Sequence, residues 1–119
     1  MKFHALAVRL PTANLERAIA FYCELLGFKI ELHTGGFAIL RHGPIEVQLY
    51  LEEGSTAPAV RGLLLETEGV SELFERLKTR AKVLWGPEVY SYQRREFSVS
   101  DPDGNELIFS EETDDRPSV

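Results

Sequence analysis

The chain has 119 residues, of which 44% are hydrophobic and 27% are charged, and its formal net charge is −6. This length accommodates one compact domain, or two small halves that share a core, and it excludes a second large domain. An acidic balance argues against nucleic-acid binding, which needs clustered Lys and Arg. No apolar run approaches the roughly 18 residues that cross a bilayer, and no secretory signal opens the chain, so we expect a cytoplasmic protein that does not enter a membrane.

The first half of the chain predicts one helix and four strands. Apolar side chains recur at helical spacing over residues 15–26, with Asn14 as the expected N-cap and Gly27 as the stop. Before and after this helix, alternation of apolar and polar residues is typical of half-buried strands. The predicted strands are residues 3–10, 28–33, 37–41 and 45–51.

The second half repeats the same order of elements. Its helix buries Val70, Phe74 and Leu77 on one face and begins about half a chain length after the first helix. We therefore expect two βαβββ units, residues 1–55 and 56–111, in one compact domain. Residues 112–119 are acidic and lack apolar periodicity, and we expect this tail to be loose. The predicted strands of the second unit are residues 62–68, 83–89, 95–100 and 106–110.

Near the end of the chain, residues 101–105 read Asp-Pro-Asp-Gly-Asn. This is a tight turn, because Pro102 fixes its own φ and Gly104 tolerates a positive φ. Apolar residues alternate with polar ones on both sides of the turn, which predicts a hairpin. The second half of the first helix contains Phe-Tyr at residues 21–22, and Leu-Gly-Phe at residues 26–28 spans its end.

These features together resemble the vicinal oxygen chelate superfamily, which contains glyoxalases, extradiol dioxygenases and bleomycin resistance proteins. The resemblance covers residues 3–111. It implies an α+β fold in which two βαβββ units form an open curved sheet, or half-barrel, whose inner face is free for a ligand. It also implies a homodimer, because family members of this length commonly pair with their pockets at or near the interface.

The metal-dependent members of that superfamily hold a divalent ion on the inner face, with His, Gln or Glu ligands from four strands. In this chain only one of the four positions carries oxygen donors. We therefore expect no metal and no cofactor, and ligand binding rather than metal-assisted chemistry. The positions that the resemblance implies are Ala7, then Glu46 or Gln48, then Gly62 or Leu63, and finally Ile108.

Strand parity assigns side chains to the inner face, because apolar residues of each strand alternate toward the helix. Four glutamates fall on this face, although each is equally consistent with a solvated rim. Trp85 either contacts a ligand or anchors a bend at Gly86, and Tyr90 and Tyr92 are expected in a flexible polar loop. The candidate ligand-binding residues are Phe37, Glu46, Gln48, Tyr50, Glu66, Trp85, Tyr90, Tyr92, Glu96 and Glu106.

Within the superfamily, the bleomycin resistance proteins are the most similar in pattern, since Arg-Glu-Phe at residues 95–97 precedes the turn at residues 101–105. Those proteins tend to carry Trp-Gly just before Arg-Glu-Phe, where this chain has Gln93 and Arg94. The resemblance favours metal-free binding of a small cationic aromatic molecule, as in antibiotic sequestration. Two alternatives stay open: a metal-dependent glyoxalase-like lyase, isomerase or dioxygenase using Glu46 and Gln48, and a partner-binding module with a vestigial pocket.

Overall fold

The computed structural model describes residues 1–54 and 59–119, which fall into two compact units, Met1–Pro58 and Ala59–Val119. The boundary predicted between residues 55 and 56 lies outside the described residues. Each unit contains a four-stranded mixed sheet with a helix after its first strand, so the α+β class and the repeated βαβββ order are confirmed.

The first unit forms a sheet in the order β1-β4-β3-β2. β1 runs parallel to β4, and the two remaining strand pairs are antiparallel. This is the pattern of a βα crossover followed by a three-stranded meander. Its elements are β1 (Val8–Thr12), α1 (Leu15–Ala20), a π-helical turn (Phe21–Leu25), β2 (Lys29–Thr34), β3 (Phe37–His42) and β4 (Ile45–Leu51).

The helix of the first unit begins where the sequence predicts. The Asn14 side chain accepts a hydrogen bond from the Arg17 backbone N–H at 3.0 Å, which satisfies one of the free donors of the first turn. After Ala20 the helix widens into the π-helical turn, and Phe21 and Tyr22 are both buried there. The helix therefore covers one face of the sheet and leaves the other face without a helix.

The first strand is shorter than predicted, because β1 begins at Val8 and not at residue 3. Val8 pairs with Val47, so in the same register residues before Leu6 would have to pair with residues before Ile45, where β4 begins. Residues 1–7 lie outside the strands of their unit. Phe3 and Leu6 are 89% and 90% exposed.

The second unit repeats the arrangement with the strand order β5-β8-β7-β6, in which β5 runs parallel to β8. The Glu111 carboxylate accepts hydrogen bonds from the backbone N–H groups of Gly69 and Val70, at 3.0 and 3.3 Å. A side chain from the last strand thus caps the helix. The elements are β5 (Leu63–Glu66), α2 (Val70–Leu77), β6 (Lys82–Tyr90), β7 (Arg94–Ser100) and β8 (Glu106–Glu112).

The turn at residues 101–105 is a structural device of the second unit. The buried Asp101 carboxylate accepts hydrogen bonds from the backbone N–H groups of Asp103 and Asn105, at 2.9 and 2.8 Å. The Asn105 side chain in turn accepts a hydrogen bond from the Val60 N–H at 2.8 Å. The segment that most resembles the superfamily therefore joins the β7–β8 hairpin to the chain just before β5.

Residues 112–119 differ from the loose tail that composition predicts. Glu112 is the last residue of β8, and Ser118 is hydrogen-bonded to Val89 of β6. These contacts are made by backbone and polar groups, so they do not require an apolar periodicity in the sequence. Within the described residues, no helix is long and apolar enough to cross a membrane.

Candidate functional site

The face of the second sheet opposite α2, here called the helix-free face, carries most of the predicted site. The Phe97 ring lies 5.4 Å from the Phe74 ring of α2, which identifies the covered face. Because side chains alternate along a strand, Glu96 and Ser98 point to the helix-free face. Trp85 pairs with Ser98 and Tyr90 with Arg94 in the β6–β7 ladder, so both rings share this face.

Trp85, Tyr90 and Tyr92 form one aromatic cluster. The Trp85 and Tyr90 ring centroids are 5.8 Å apart with perpendicular planes, and the Tyr90 and Tyr92 rings stack at 5.9 Å. The prediction that the two tyrosines lie in a flexible polar loop is wrong. Tyr90 is the last residue of β6, and Tyr92 lies in a three-residue hairpin turn. The turn is closed by a hydrogen bond from the Gln93 N–H to the Tyr90 carbonyl at 2.9 Å.

Two glutamates hold this cluster in place. The Trp85 indole N–H donates to Glu106 at 2.7 Å, and the Ser98 hydroxyl donates to the same carboxylate oxygen at 2.8 Å. The Tyr92 hydroxyl donates to Glu96 at 2.5 Å. Glu96 is only 4% exposed, and its second oxygen accepts from Ser110 at 2.7 Å. Both carboxylates are thus bound by neutral donors that fix the orientation of the rings.

The phenol groups of the cluster stay protonated well beyond neutral pH. The hydrogen bond to Glu96, with burial as a lesser cause, raises the pKa of Tyr92 from 10.0 to about 12. Burial, followed by the charge of Glu88, raises the pKa of Tyr90. Each hydroxyl therefore remains an uncharged donor beside the carboxylates.

Arg94 connects the cluster to the end of the sheet. Its Nε–H donates to Ser110 at 2.6 Å, and its guanidinium forms an ion pair with Glu66. Glu66 was predicted to be a ligand-facing carboxylate, but its charge is offset by this arginine. Arg94 also lies at an open depression of about 410 Å³. The residues around the depression are Tyr92, Gln93, Arg94, Glu112, Thr113 and Asp114.

The helix-free face of the first sheet has different chemistry. Arg41 lies between Glu31 and Glu46, with its Nε–H donating to Glu31 at 2.7 Å. This hydrogen bond is the main cause that raises the pKa of Arg41. Gln48 donates to Glu46 at 2.6 Å, and the Arg9 guanidinium donates to Gln48 at 2.9 Å. The result is a row of alternating charges across the sheet.

An aromatic ring stands at one end of this row. The Arg9 guanidinium carbon lies 5.3 Å from the centre of the Phe37 ring, a cation–π contact. Phe37 pairs with Tyr50 in the β3–β4 ladder, so the two rings share the helix-free face. The structure thus places Phe37 on one face with Glu46, Gln48 and Tyr50, the three residues that parity assigns to the inner face.

Sequence reasoning assigns the glutamates, Ser98 and Ser110 to the inner face but misses the arginines that bond to predicted residues. Three arginines on the helix-free faces make such bonds. The period-two alternation that placed Glu46 and Glu96 would have placed these arginines too, because each lies an even number of positions from a predicted residue in its strand or register. The missed residues are Arg9, Arg41 and Arg94.

The donor set does not fit the metal of the superfamily. Ala7 has no donor atom, and a Cβ built on Gly62 would lie 3.9 Å from Ile108 Cδ1, so this corner is apolar. The oxygen donors Glu46 and Gln48 are already bonded to Arg41 and Arg9. Across residues 1–54 and 59–119, no group of three or more His, Cys, Asp or Glu side chains is arranged to hold a metal ion.

A sequence model of one family, described as the glyoxalase/bleomycin resistance protein/dioxygenase superfamily, matches residues 3–109. The chain belongs to this superfamily. The bleomycin resistance protein of Geobacillus stearothermophilus is 29% identical to it, in an alignment that covers 84% of this chain and 90% of the relative. The bleomycin resistance protein of Staphylococcus aureus matches to the same extent.

Two solved structures show the same fold. The bleomycin-binding protein from bleomycin-producing Streptomyces verticillus, crystallised with copper(II)-bleomycin, has a TM-score of 0.74 and 24% identity, covering 92% of this chain and 96% of that one. A glyoxalase/bleomycin resistance protein/dioxygenase from Nocardioides has a TM-score of 0.79 and 15% identity, covering 100% and 90%. The fold class predicted from the sequence is therefore confirmed.

Proposed function

We propose that the protein binds and sequesters a small aromatic molecule, in the manner of a bleomycin resistance protein, without a metal of its own. The observation that carries this proposal is the aromatic cluster of Trp85, Tyr90 and Tyr92, anchored on its sheet by Glu106 and Glu96. Trp85 and Tyr92, whose polar ends are already bonded, together with Tyr90 stacked on Tyr92, offer a preorganised surface for a planar ligand.

Charge favours a cationic ligand, but less strongly than four unpaired glutamates would. Glu46 and Glu66 are ion-paired with Arg41 and Arg94, so their fields are largely offset. Glu96 and Glu106 accept hydrogen bonds from neutral hydroxyl and indole groups beside the rings, and these partners carry no charge that would offset a carboxylate. A cation placed over Tyr92 or Trp85 is attracted by both the ring and the carboxylate behind it.

The relatives support the same class of ligand. Several matching proteins are bleomycin resistance proteins, and one matching structure holds copper(II)-bleomycin. The metal-free part of the proposal depends on the identities of Ala7, Gly62 and Ile108, which offer no side-chain oxygen, nitrogen or sulfur donor. Elemental analysis after dialysis is expected to find no stoichiometric divalent metal, and about one equivalent per chain would contradict this part.

Ligand binding can be tested through the single tryptophan of the chain, because Trp85 belongs to the cluster. We expect metal-free bleomycin to change Trp85 fluorescence in a saturable way, with an affinity that falls as salt is added. Calorimetry with Tyr92→Phe and Tyr92→Ala separates stacking from hydrogen bonding: Phe keeps the ring, whereas Ala removes it. Loss of affinity is expected mainly for Tyr92→Ala.

Matched aromatic probes decide the ligand class. Cationic, neutral and anionic aromatic compounds are compared with bleomycin in the same titration, and Glu106→Gln is compared with Glu66→Gln. The first variant should weaken cation binding more, since Glu66 is already ion-paired. If only anionic compounds bind, or if none binds, the proposed function is wrong.

We also propose that the protein is a homodimer. Phe3 and Leu6 of the segment before β1 are almost fully exposed, and a second copy would remove such apolar side chains from water. Light scattering at micromolar concentration should give twice the 13.5 kDa mass of the chain. The mass of a single chain would contradict this proposal.

A further inference from the structure

The C-terminal residues fold back onto the hairpin that carries the aromatic cluster. After β8, the Thr113 N–H donates to the Gln93 carbonyl at 3.2 Å. The Gln93 side-chain amide donates to the carbonyls of Thr113 and Asp115, at 2.9 and 3.0 Å. Residues 113–119, here called the tail strap, therefore make three hydrogen bonds with one residue of the turn.

The far end of the strap lies along β6, which is an edge strand of its sheet. The Ser118 N–H donates to the Val89 carbonyl at 2.8 Å, and the Val89 N–H donates to Ser118 Oγ at 3.0 Å. Ser118 also donates to the Glu88 carboxylate at 2.5 Å. Both outward backbone groups of Val89 are thus bonded to the strap instead of to water.

The strap contacts lie on both sides of the two tyrosines. Val89 immediately precedes Tyr90, and Gln93 immediately follows Tyr92. Gln93 has φ of +61°, a conformation that disfavours a residue with a side chain. The bonds to Thr113 and Asp115 stabilise this conformation, and an ion pair between Arg95 and Asp115 adds to them.

We propose that the tail strap positions the aromatic cluster for ligand binding. The stacking of Tyr90 on Tyr92 and the hydrogen bond from Tyr92 to Glu96 both depend on the path of the turn between them. When the strap is bonded, the turn is ordered before the ligand arrives. Ligand binding then does not lose the conformational entropy of ordering the turn. This inference rests on the proposed function only in assigning the cluster to a ligand.

The test uses the full chain with two substitutions in the strap, Asp115→Lys and Ser118→Pro. The first places a cation beside Arg95, and the second removes both the N–H and the hydroxyl that bond to Val89. Glu53→Lys, an exposed position of the first unit with the same charge change, is the matched control. Ser118→Ala is a milder variant that keeps the N–H and loses the hydroxyl.

Two measurements need no ligand: hydrogen exchange at the Val89 amide and quenching of Trp85 fluorescence by acrylamide. In the double variant we expect faster exchange and stronger quenching than in the wild type and in Glu53→Lys, with an unchanged far-ultraviolet spectrum. Ser118→Ala should lie in between. Unchanged exchange at Val89 would show that the strap is not docked, and faster exchange with unchanged quenching would show that it does not position the cluster.

The third measurement is the Kd for metal-free bleomycin. We expect the double variant to bind about fivefold more weakly than the wild type, which corresponds to ~1 kcal/mol of lost preorganisation. Equal Kd values, with faster exchange and stronger quenching, would also overturn the proposal. If the wild type does not bind bleomycin, the proposed function fails, whereas exchange and quenching still decide whether the strap positions the rings.

Discussion

The two sheets share one topology but differ in the residues that their helix-free faces carry. In the β3–β4 ladder Phe37 pairs with Tyr50, and at the corresponding place in the β7–β8 ladder Glu96 pairs with Ser110. One unit therefore carries rings where the other carries a buried carboxylate. Duplication of a βαβββ unit supplies the scaffold twice, and the residues of the helix-free faces determine how each copy is used.

The difference lies in burial as much as in residue type. On the first sheet, the side chains of the Arg41–Glu31 pair are 38% and 46% exposed, and such ion pairs contribute little because water competes for them. On the second sheet, Glu96 and Ser110 are almost completely buried, and a buried group that loses its partner is costly. We infer that the first face can rearrange around a ligand, whereas the second face is held in one arrangement.

The substitution expected to have the largest effect on stability is Gly86→Ala in β6, and it tests this contrast between the two faces. A Cβ at Gly86 would lie 2.5 Å from the Glu96 carbonyl oxygen and 2.9 Å from Phe97 Cα, and φ is +80°. We expect a loss of about 3 kcal/mol in unfolding free energy, from the clash and the backbone strain together. Urea denaturation followed by Trp85 fluorescence measures it.

Gly43→Ala in the β3–β4 turn is the matched control. Its φ is +57°, and nothing lies within 4 Å of the added Cβ. Only the strain term remains, so we expect a loss of about 1 kcal/mol. Equal losses in the two variants would show that β6 yields to the added methyl group, and that the second face is less tightly fixed than proposed.

The second test removes one carboxylate from each face. Glu96→Leu leaves the hydroxyls of Tyr92 and Ser110 without their acceptor, and Ser110 is fully buried. We expect a loss of about 2 kcal/mol for Glu96→Leu and less than about 1 kcal/mol for Glu46→Leu. In the latter variant Arg41 keeps its bond to Glu31. Similar losses in urea denaturation would remove the distinction between the two faces.

Much of the fold could be predicted because it depends on local patterns. Helical periodicity located both helices, and α2 contains the three residues predicted on its apolar face, Val70, Phe74 and Leu77. Two departures had non-local causes. A strand that began at residue 3 would extend past its partner, because residues before Leu6 would have no residue of β4 opposite them. The tail is ordered by backbone hydrogen bonds to Val89 that require no particular side-chain pattern.

The candidate site was only partly predictable for a related reason. Parity places a side chain on a face, so Glu46 and Glu106 were assigned correctly to the helix-free faces. Parity does not give partners across strands. The ion pair of Arg94 with Glu66 joins residues 28 positions apart, and the bond from Trp85 to Glu106 joins residues 21 apart. The acidic surface predicted from residue types is therefore more nearly neutral than expected.

The third test follows the ionisation of Tyr92. Its pKa is raised from 10.0 to about 12 in the folded protein. A raised pKa means that the stabilisation is complete below pH 10 and is lost as the pH rises through about 12. We expect wild-type stability to fall more steeply in this window than that of Glu96→Gln, in which the charge beside the phenol is gone. Difference absorbance should also show Tyr92 ionising at lower pH in Glu96→Gln, and identical titrations would contradict the assigned cause.

The smallest expected effect concerns the contact between Arg9 and Phe37 on the first face. Their separation of 5.3 Å is within cation–π range, but Arg9 is exposed, and such contacts contribute about 0.5–1 kcal/mol at most in water. A double-mutant cycle with Arg9→Met and Phe37→Leu isolates the coupling from the bond between Arg9 and Gln48. We expect a coupling of ~0.5 kcal/mol. A value above ~1.5 kcal/mol would mean that the first face is fixed as firmly as the second, so a ligand could not rearrange it.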